Sequence, residues 1–355
     1  MILSGTTRLG VAAAAAVLFL TGTTAGPAQA AAPAVGSDLS SSGAMAPVQL
    51  PGDKTVRTYT AADIRSFERT GGDPAVLAYW TAERMAAAKP LDVPGDAVWV
   101  ANTARAVAAK TPAVATAPVA AKHVTGMAAA APPPVTNWSI TNGKLFFNGY
   151  ESGSWCSASA VNTPSGRVLI TAGHCVHSGQ GGTWKSNVVF VPKYNAFNSD
   201  HDPVGRFQAY WLRSFNEWIN NSNRNRDVGW VTTYAGGDWN DTVVNTVGGH
   251  GMAYNGGTEF DVSVFGYPSN KDNGDRMWAC WGTAVDSSSS DDRSKISCDF
   301  GPGSSGGPWL WNYDNNSGLG YVRSVMSTVD TAGVNRGPYF DTAVNDGTNA
   351  ANNDW

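Results

Sequence analysis

Short apolar, β-prone runs separated by Gly, Asn, Asp and Ser dominate the chain after residue 134. Six of them span residues 144–148, 168–171, 188–191, 228–232, 260–267 and 321–328. Such runs are typical of strands, whereas the 3.6-residue periodicity of amphipathic helices is scarce here. Residues 135–355 are enough for one large β domain or two packed barrels. The pattern therefore predicts an all-β sandwich or barrel.

Two short motifs in this region carry reactive side chains. Residues 171–175 read TAGHC, and residues 301–308 read GPGSSGGP. A serine hydroxyl becomes a nucleophile at neutral pH when a base removes its proton, and histidine is the usual base. This predicts His174 as the base and Ser305 as the nucleophile. The glycines around Ser305 allow a tight turn in which the N–H groups of Gly303 and Ser305 converge as an oxyanion hole.

The two motifs gain their weight from occurring together. A Gly-x-Ser-x-Gly string by itself is often a surface loop, and a lone histidine is often a satisfied polar group. In this order they resemble the motifs of the chymotrypsin-like serine peptidases, in the secreted bacterial branch near the glutamyl endopeptidases. Residues 144–147, 266–268 and 337–340 look like that group too, and the resemblance spans roughly residues 135–345.

The resemblance implies both a fold and an activity. The fold is two antiparallel Greek-key β-barrels, residues 135–240 and 241–355, with the active site in the cleft between them. The activity is that of a serine endopeptidase, which hydrolyses protein or peptide substrates through an acyl-enzyme intermediate.

The resemblance also places a third catalytic residue between the histidine and the serine. This residue must be a buried carboxylate that accepts the imidazole N–H, so it should adjoin an apolar strand. Asp227 does so in RDVGWVT, residues 226–232, which is similar to the signature of the family. We therefore expect the triad His174, Asp227 and Ser305, with Asp202 as the alternative to Asp227.

The chain has four cysteines, which allow three pairings from sequence alone. The resemblance and the proximity in sequence imply Cys156–Cys175, beneath the catalytic histidine, and Cys280–Cys298, before the nucleophile loop. Buried free thiols are the alternative, and an oxidising compartment disfavours them.

The N-terminus has the features of a secretory signal peptide, predicted over residues 1–30. Arg8 gives a positive start, residues 9–20 an apolar core too short to span a bilayer, and residues 28–30, AQA, a small-residue cleavage site. No later run reaches about 18 apolar residues, so no membrane anchor is predicted. We expect a secreted, extracellular protein.

Residues 31–134 predict a removable propeptide that ends in an Ala/Pro-rich linker. This part is rich in alanine and has no cysteine. Residues 60–63 form a capping box, and residues 81–88 are strong helix formers. Prosegments of the resembling enzymes have a string similar to residues 80–90. The propeptide would act as an inhibitor or a folding helper, and a spacer without a role is the alternative.

The preferred P1 residue stays open. In the family, the residue six before the nucleophile lies at the base of the S1 pocket; here it is Asp299, which would favour Lys or Arg. Aligning residues 324–328 with the strand after the nucleophile puts Met326 where glutamyl endopeptidases have a histidine. Ser327 would pair with the backbone of an extended peptide. Basic, apolar and acidic preferences all remain candidates.

Charge and ligand spacing argue against other classes of function. Residues 135–355 carry 14 Lys and Arg against 20 Asp and Glu without a basic cluster, so nucleic-acid binding is not expected. No Cys-x-x-Cys motif occurs, so neither a metal nor a cofactor is predicted. A silent homologue that serves as a binding module would lack a triad residue. An esterase of the α/β-hydrolase type would order its triad Ser, Asp, His.

Overall fold

The computed structural model describes residues 38–43, 57–91, 111–123, 138–148, 153–288 and 291–355. The predicted signal peptide lies outside these ranges. Within them, none of the helices has the length and apolarity that a membrane span requires. The elements before residue 124 are β1 (Leu39–Ser42), α1 (Ala61–Thr70), α2 (Pro74–Tyr79), α3 (Ala82–Ala87), β2 (Lys89–Pro90) and β3 (Ala113–Thr116).

Six antiparallel strands then form a closed barrel. They are β4 (Asn142–Phe147), β5 (Ser154–Ala160), β6 (Val168–Thr171), β7 (Val189–Pro192), β8 (Phe207–Phe215) and β9 (Gly229–Thr233), with the helix α4 (Asn216–Asn221) after β8. Their order is β8-β7-β4-β5-β6-β9, and the pairing of β9 with β8 closes the ring. Closure pairs the two strands that would otherwise be sheet edges.

Four of the barrel strands, β4, β6, β7 and β9, are apolar on both faces, which explains their continuous apolar runs in the sequence. Leu145, Leu169 and Val231 pack into one buried cluster. Phe146 and Trp230, which are their immediate neighbours along the strands, belong to another. Successive side chains of a strand point to opposite faces, so the barrel packs inside against itself and outside against other elements.

The C-terminal part forms a second sheet of nine strands, to which β3 also belongs. Its elements are α5 (Val243–Val247), β10 (Gly251–Tyr254), β11 (Phe260–Gly266), β12 (Trp278–Ser288), β13 (Asp291–Ile296), β14 (Pro308–Asp314), β15 (Leu319–Val325), β16 (Thr328–Val329), β17 (Asn335–Gly337) and α6 (Thr342–Asn352). The order is β16-β17-β13-β12-β11-β14-β15-β10-β3, and only β10 and β15 pair in parallel. The predicted all-β class is confirmed.

The helix α6 returns from the second sheet to the barrel. The side chain of Asp341 caps it by accepting the N–H of Val344 at 3.3 Å. The indole Nε1 of Trp230 on β9 donates to Thr348 Oγ1 at 2.9 Å. A Cβ at Gly347 would overlap the Trp230 ring, so glycine allows this close approach. The contact stabilises the barrel strand that follows Asp227.

The helical segment of residues 57–91, the docked segment, packs against the barrel. Its Trp80 is fully buried and donates its indole N–H to the carbonyl of Asn187 at 2.8 Å. The Trp80 ring lies 5.3 Å from that of Phe146 on β4, measured between ring centroids. The guanidinium of Arg206 donates to the Trp80 carbonyl. One buried aromatic side chain thus anchors the segment.

Sequence patterns for this segment agree with the structure in one place and differ in another. The predicted capping box is present: Thr60 accepts the Asp63 N–H at 3.2 Å, and Asp63 accepts the Thr60 N–H at 2.8 Å. Part of the predicted Ala/Pro-rich linker forms a strand, because β3 pairs antiparallel with β10. Val and Thr alternating with Ala suit a strand added to a sheet edge. Residues 101–110 and 124–134 lie outside the described ranges.

Candidate active site

His174 lies on a single 3₁₀ turn, Gly173–Cys175, that directly follows β6. The imidazole is nearly buried, at 3% exposure. The disulfide Cys156–Cys175 ties the next residue to β5, with 6.1 Å between the two Cα atoms. On the other side, a Cβ at Gly173 would lie 2.9 Å from the indole of Trp218. The backbone around the imidazole is therefore fixed from two sides.

Asp227 lies just before β9 and is fully buried. Its Oδ1 accepts the backbone N–H of His174 at 2.8 Å. Its Oδ2 accepts from His174 Nδ1 at 2.7 Å, Ser327 Oγ at 2.6 Å and Arg224 Nη1 at 3.2 Å. A buried carboxylate is tolerated when donors surround it in this way. Because a carboxylate accepts, Nδ1 carries the imidazole hydrogen and Nε2 is the basic nitrogen.

Burial has the largest influence on the pKa values of both His174 and Asp227, and it shifts them in opposite directions. It lowers the pKa of His174 below its usual value; Asp227 offsets part of this, while Arg224 and Lys185 lower it further. Burial by itself raises the pKa of Asp227, but His174, Arg224 and Ser327 bring it below its ordinary value. At neutral pH Asp227 is ionised and His174 is neutral, which is the state that a general base requires.

Ser305 occupies a tight turn between β13 and β14. Gly303 and Gly306, on either side of it, have φ values of +90° and +81°. This region of backbone conformation favours glycine. The N–H of Gly306 donates to the carbonyl of Met326 at 2.7 Å, which holds the turn against the end of β15.

The Ser305 turn also touches the elements that carry His174. The carbonyl of Ser305 accepts the N–H of Ser157, on β5, at 2.7 Å. A Cβ at Gly306 would overlap the hydroxyl of Thr171, the last residue of β6. Thr171 is three residues before His174, so the structure brings the turn and the imidazole into one neighbourhood.

Three polar groups of this neighbourhood have no hydrogen-bond partner within the described ranges. They are the N–H groups of Gly303 and Ser305 and the Nε2 atom of His174. Two backbone donors and one basic nitrogen are the groups that an acyl-transfer site offers to its substrate.

Comparison with known proteins found relatives among solved structures, whereas neither the family models nor the curated proteins gave a match. AL20, a thermostable serine protease from an extremophilic microorganism, has 30% identity and a TM-score of 0.55; the alignment covers 98% of that protein and 61% of this chain. The chain is a serine protease of the chymotrypsin fold. The protease Anisep from Arthrobacter nicotinovorans, at 28% identity and TM-score 0.54, aligns over 98% of its length and 62% of this chain. A Glu endopeptidase at 20% identity shares the fold, with a TM-score of 0.50; the alignment covers 95% of that protein and 63% of this chain.

The residues expected to set the specificity of the protease lie in two different places. Met326 is buried beneath the Ser305 turn, and Ser327 donates its hydroxyl to Asp227. The Asp299 side chain is 65% exposed and pairs with Lys271 Nζ at 2.8 Å. The structure therefore brings Met326 and Ser327 to the site, whereas the Asp299 carboxylate faces a surface lysine.

Asp202, the alternative to Asp227, lies elsewhere in the protease. It forms an ion pair with Arg206, the residue that also binds the carbonyl of Trp80. Among the described hydrogen bonds, none joins Asp202 to His174. Of these two carboxylates, the geometry thus associates Asp227 with the imidazole.

The two disulfides expected from the resemblance are both present in the protease. The second, Cys280–Cys298, ties β12 to the segment before the Ser305 turn, with 5.7 Å between Cα atoms. Within the described ranges, one cluster has three residues of metal-ligating type, Cys156, His174 and Cys175. Its two sulfurs form the first disulfide, so they are not thiolate ligands.

Two contributors to the site were missed from the sequence. Arg224 binds the Asp227 carboxylate, and its position three residues earlier was a usable signal because Arg and Asp at this spacing often pair. Ser157 binds the Ser305 turn, and nothing in its local sequence distinguishes it from Ser159 two residues later.

Proposed function

We propose that the chain is a secreted serine endopeptidase, made as a proenzyme, that uses His174, Asp227 and Ser305 as a catalytic triad. One observation carries the proposal: the 2.7 Å hydrogen bond between His174 Nδ1 and the buried Asp227 carboxylate, beside the Ser305 turn. The arrangement orients Nε2 as a base and keeps it neutral.

The proposed reaction begins with attack of Ser305 Oγ on the carbonyl carbon of the scissile peptide bond. His174 Nε2 takes the hydroxyl proton, and the N–H groups of Gly303 and Ser305 bind the oxyanion that develops. His174 then protonates the leaving amine, which yields the acyl-enzyme. Water attacks the ester by the same route and releases the acid. Asp227 stays ionised and stabilises the imidazolium formed in each half-reaction.

The proenzyme proposal places the mature N-terminus after residue 134, with removal of residues 1–30 and 31–134. The contacts of the docked segment favour the role of a folding helper over that of an inhibitor that occupies the cleft. No hydrogen bond of the described residues 59–91 reaches His174, Asp227 or Ser305, whereas several reach the barrel. The two disulfides support export to an oxidising compartment.

For the P1 position we favour an uncharged side chain. Met326 is apolar and buried, and the Asp299 carboxylate is already paired with Lys271. Cleavage sites in casein, mapped by mass spectrometry, test this. Asp299→Asn and the matched Lys271→Gln should leave the cleavage pattern unchanged. Loss of cleavage after Lys and Arg in Asp299→Asn alone would instead place Asp299 in the S1 pocket.

The decisive experiment for the triad is covalent labelling. The secreted protein is treated with a phosphonate or sulfonyl fluoride directed at activated serines, and the adduct is located by mass spectrometry. We expect one adduct on Ser305 together with loss of casein cleavage, and a mass that reports the mature N-terminus. Ser305→Ala should lose several orders of magnitude in rate. Undiminished turnover in that variant would refute the assignment.

A further inference from the structure

We propose that Ser157 is a positioning residue for the oxyanion hole, an inference that rests on the proposed function of Gly303 and Ser305. Ser157 is buried on β5, at 1% exposure. Its hydroxyl donates to the carbonyl of Gly303 at 3.0 Å and accepts the N–H of Tyr267 at 2.9 Å. Its own N–H donates to the carbonyl of Ser305 at 2.7 Å.

The two residues that Ser157 holds are the same two whose N–H groups are proposed to form the hole. The carbonyls of Gly303 and Ser305 lie on either side of the Ser304–Ser305 peptide, and both accept from Ser157, one from the side chain and one from the backbone. Fixing both carbonyls restrains the Gly303–Ser304 and Ser305–Gly306 peptide groups, which lie on either side of the peptide that carries the Ser305 N–H. The backbone that joins the N–H groups of Gly303 and Ser305 is thereby held in one conformation, as a preorganised oxyanion hole requires.

Gly303 is the member of the pair that most needs this restraint. As a glycine at φ +90° it has no side chain to limit its backbone rotation. Its Cα is close to the Trp155 indole, since a Cβ there would overlap Nε1, but this contact does not orient the carbonyl. Without the Ser157 hydroxyl the buried carbonyl loses its partner, and the peptide can turn to find another. A turned Gly303–Ser304 peptide changes the ψ angle of Gly303 and with it the path of the backbone to the Ser305 N–H.

The second bond of the hydroxyl links this turn to the second sheet. Tyr267 follows β11, and its N–H is bound by Ser157 while its carbonyl accepts the indole N–H of Trp155 at 3.1 Å. The side chains of Ser157 and Trp155, both on β5, therefore hold the backbone N–H and carbonyl of Tyr267, which belongs to the second half of the molecule. The hydroxyl accepts from one half and donates to the catalytic turn, which fixes the direction of its hydrogen.

The strand offers a matched control for this hydroxyl. Ser159 lies two residues along β5 on the same face and is fully buried, but its hydroxyl has no hydrogen-bond partner within the described ranges. Ser157→Ala and Ser159→Ala remove the same atom from the same strand. Only the former removes a bond to the Ser305 turn.

The experiment compares these variants, each made in the full chain and secreted in the same way. For each variant, kcat and KM are measured with a chromogenic peptide. The affinity is then measured for two ligands that have the sequence of this peptide. One is a trifluoromethyl ketone, which forms an oxyanion with the nucleophile; the other is the peptide acid, which binds without forming one. Thermal unfolding is recorded for each variant.

We expect Ser157→Ala to lower kcat by about 10-fold or more and to weaken the binding of the ketone by a similar factor. Complete removal of one donor from such a hole lowers kcat by about 100-fold or more. KM, affinity for the acid and the unfolding temperature should stay close to those of Ser159→Ala. Unchanged kcat and ketone affinity would overturn the proposal, and so would a parallel loss of ketone and acid affinity, which indicates a structural role. Full activity of Ser305→Ala would instead refute the proposed function itself.

Discussion

Four donors from three parts of the chain converge on the carboxylate of Asp227. His174 supplies two, at a sequence separation of 53; Ser327 is 100 residues away and Arg224 only three. A buried carboxylate without such partners would hold a proton, because burial disfavours the charged form. The ionised state of Asp227 thus depends on all three neighbours, and the neutrality of His174 depends on its burial.

The pH dependence of the protease should report the buried imidazole. Activity needs neutral His174, so kcat/KM is expected to fall as the pH drops through the pKa of this residue. Because burial lowers that pKa, the midpoint should lie below 6.5, the ordinary value for histidine. A pH profile of peptide hydrolysis measures it. A midpoint above 7 would contradict the assignment of His174 as a base whose pKa is lowered by burial.

Asp227→Asn should reduce kcat for peptide hydrolysis by about 10⁴-fold, because His174 is then no longer held in the tautomer with its hydrogen on Nδ1.

Ser327→Ala should lower kcat/KM by about 10-fold, because a hydrogen bond to a charged group contributes about 1.5 to 3 kcal/mol. Removal of this donor leaves more negative charge facing His174, so the acidic midpoint of the profile should also move to higher pH. Ser324→Ala is the matched control, since the Ser324 hydroxyl donates to the Pro338 carbonyl and not to Asp227. Equal pH profiles for the two variants would show that Ser327 does not act through Asp227.

At the scale of elements, the sequence predicted strands where both faces are apolar and missed strands built from small or mixed residues. β4, β6, β7, β9, β11 and β15 coincide with the apolar runs. β5 reads SWCSASA, and its burial comes from neighbouring strands on both sides rather than from its own composition. β8 mixes aromatic, polar and charged residues, and several of its side chains are only half-buried. The motifs predicted the catalytic candidates, but long-range partners such as Ser327 and Ser157 depend on the fold.

Trp80→Ala should loosen the docked segment. Replacement of a fully buried tryptophan by alanine costs about 3–5 kcal/mol, which exceeds what the short helices α1 to α3 can retain by themselves. In a Ser305→Ala background, which avoids self-digestion, we expect faster hydrogen exchange in these helices and unchanged exchange in β14 and β15. Mass spectrometry of the deuterated protein measures both.

Trp281→Ala controls for the loss of an indole as such, because Trp281 is 44% exposed on β12. It should leave exchange in the docked segment unchanged. Equal protection of α1 to α3 from hydrogen exchange in both variants would mean that other contacts hold the docked segment, such as the ion pair between Glu68 and Arg167.

At the scale of the whole molecule, a buried lysine lies where the barrel meets the second half. Lys144 on β4 is 1% exposed and donates its ammonium to the carbonyl of Gly274 at 2.9 Å. Its Nζ lies 3.9 Å from the ring centroid of Trp155 and 4.6 Å from that of Tyr194. Ring faces attract a cation, but burial still opposes the charge. The pKa of Lys144 is lowered by burial to about 7, with Asp275 opposing the shift.

Lys144→Met should therefore change how stability depends on pH. Between the folded pKa of about 7 and the ordinary value of 10.5, the unfolded chain binds more protons than the folded chain, so the charged lysine costs most at low pH. The free energy of unfolding of the parent should rise with pH, relative to that of the variant, by roughly 2 kcal/mol between pH 7 and 9. Urea unfolding of the full chain in a Ser305→Ala background measures this. Parallel pH profiles would mean that Lys144 has an ordinary pKa, so that the rings and the Gly274 carbonyl compensate its burial fully.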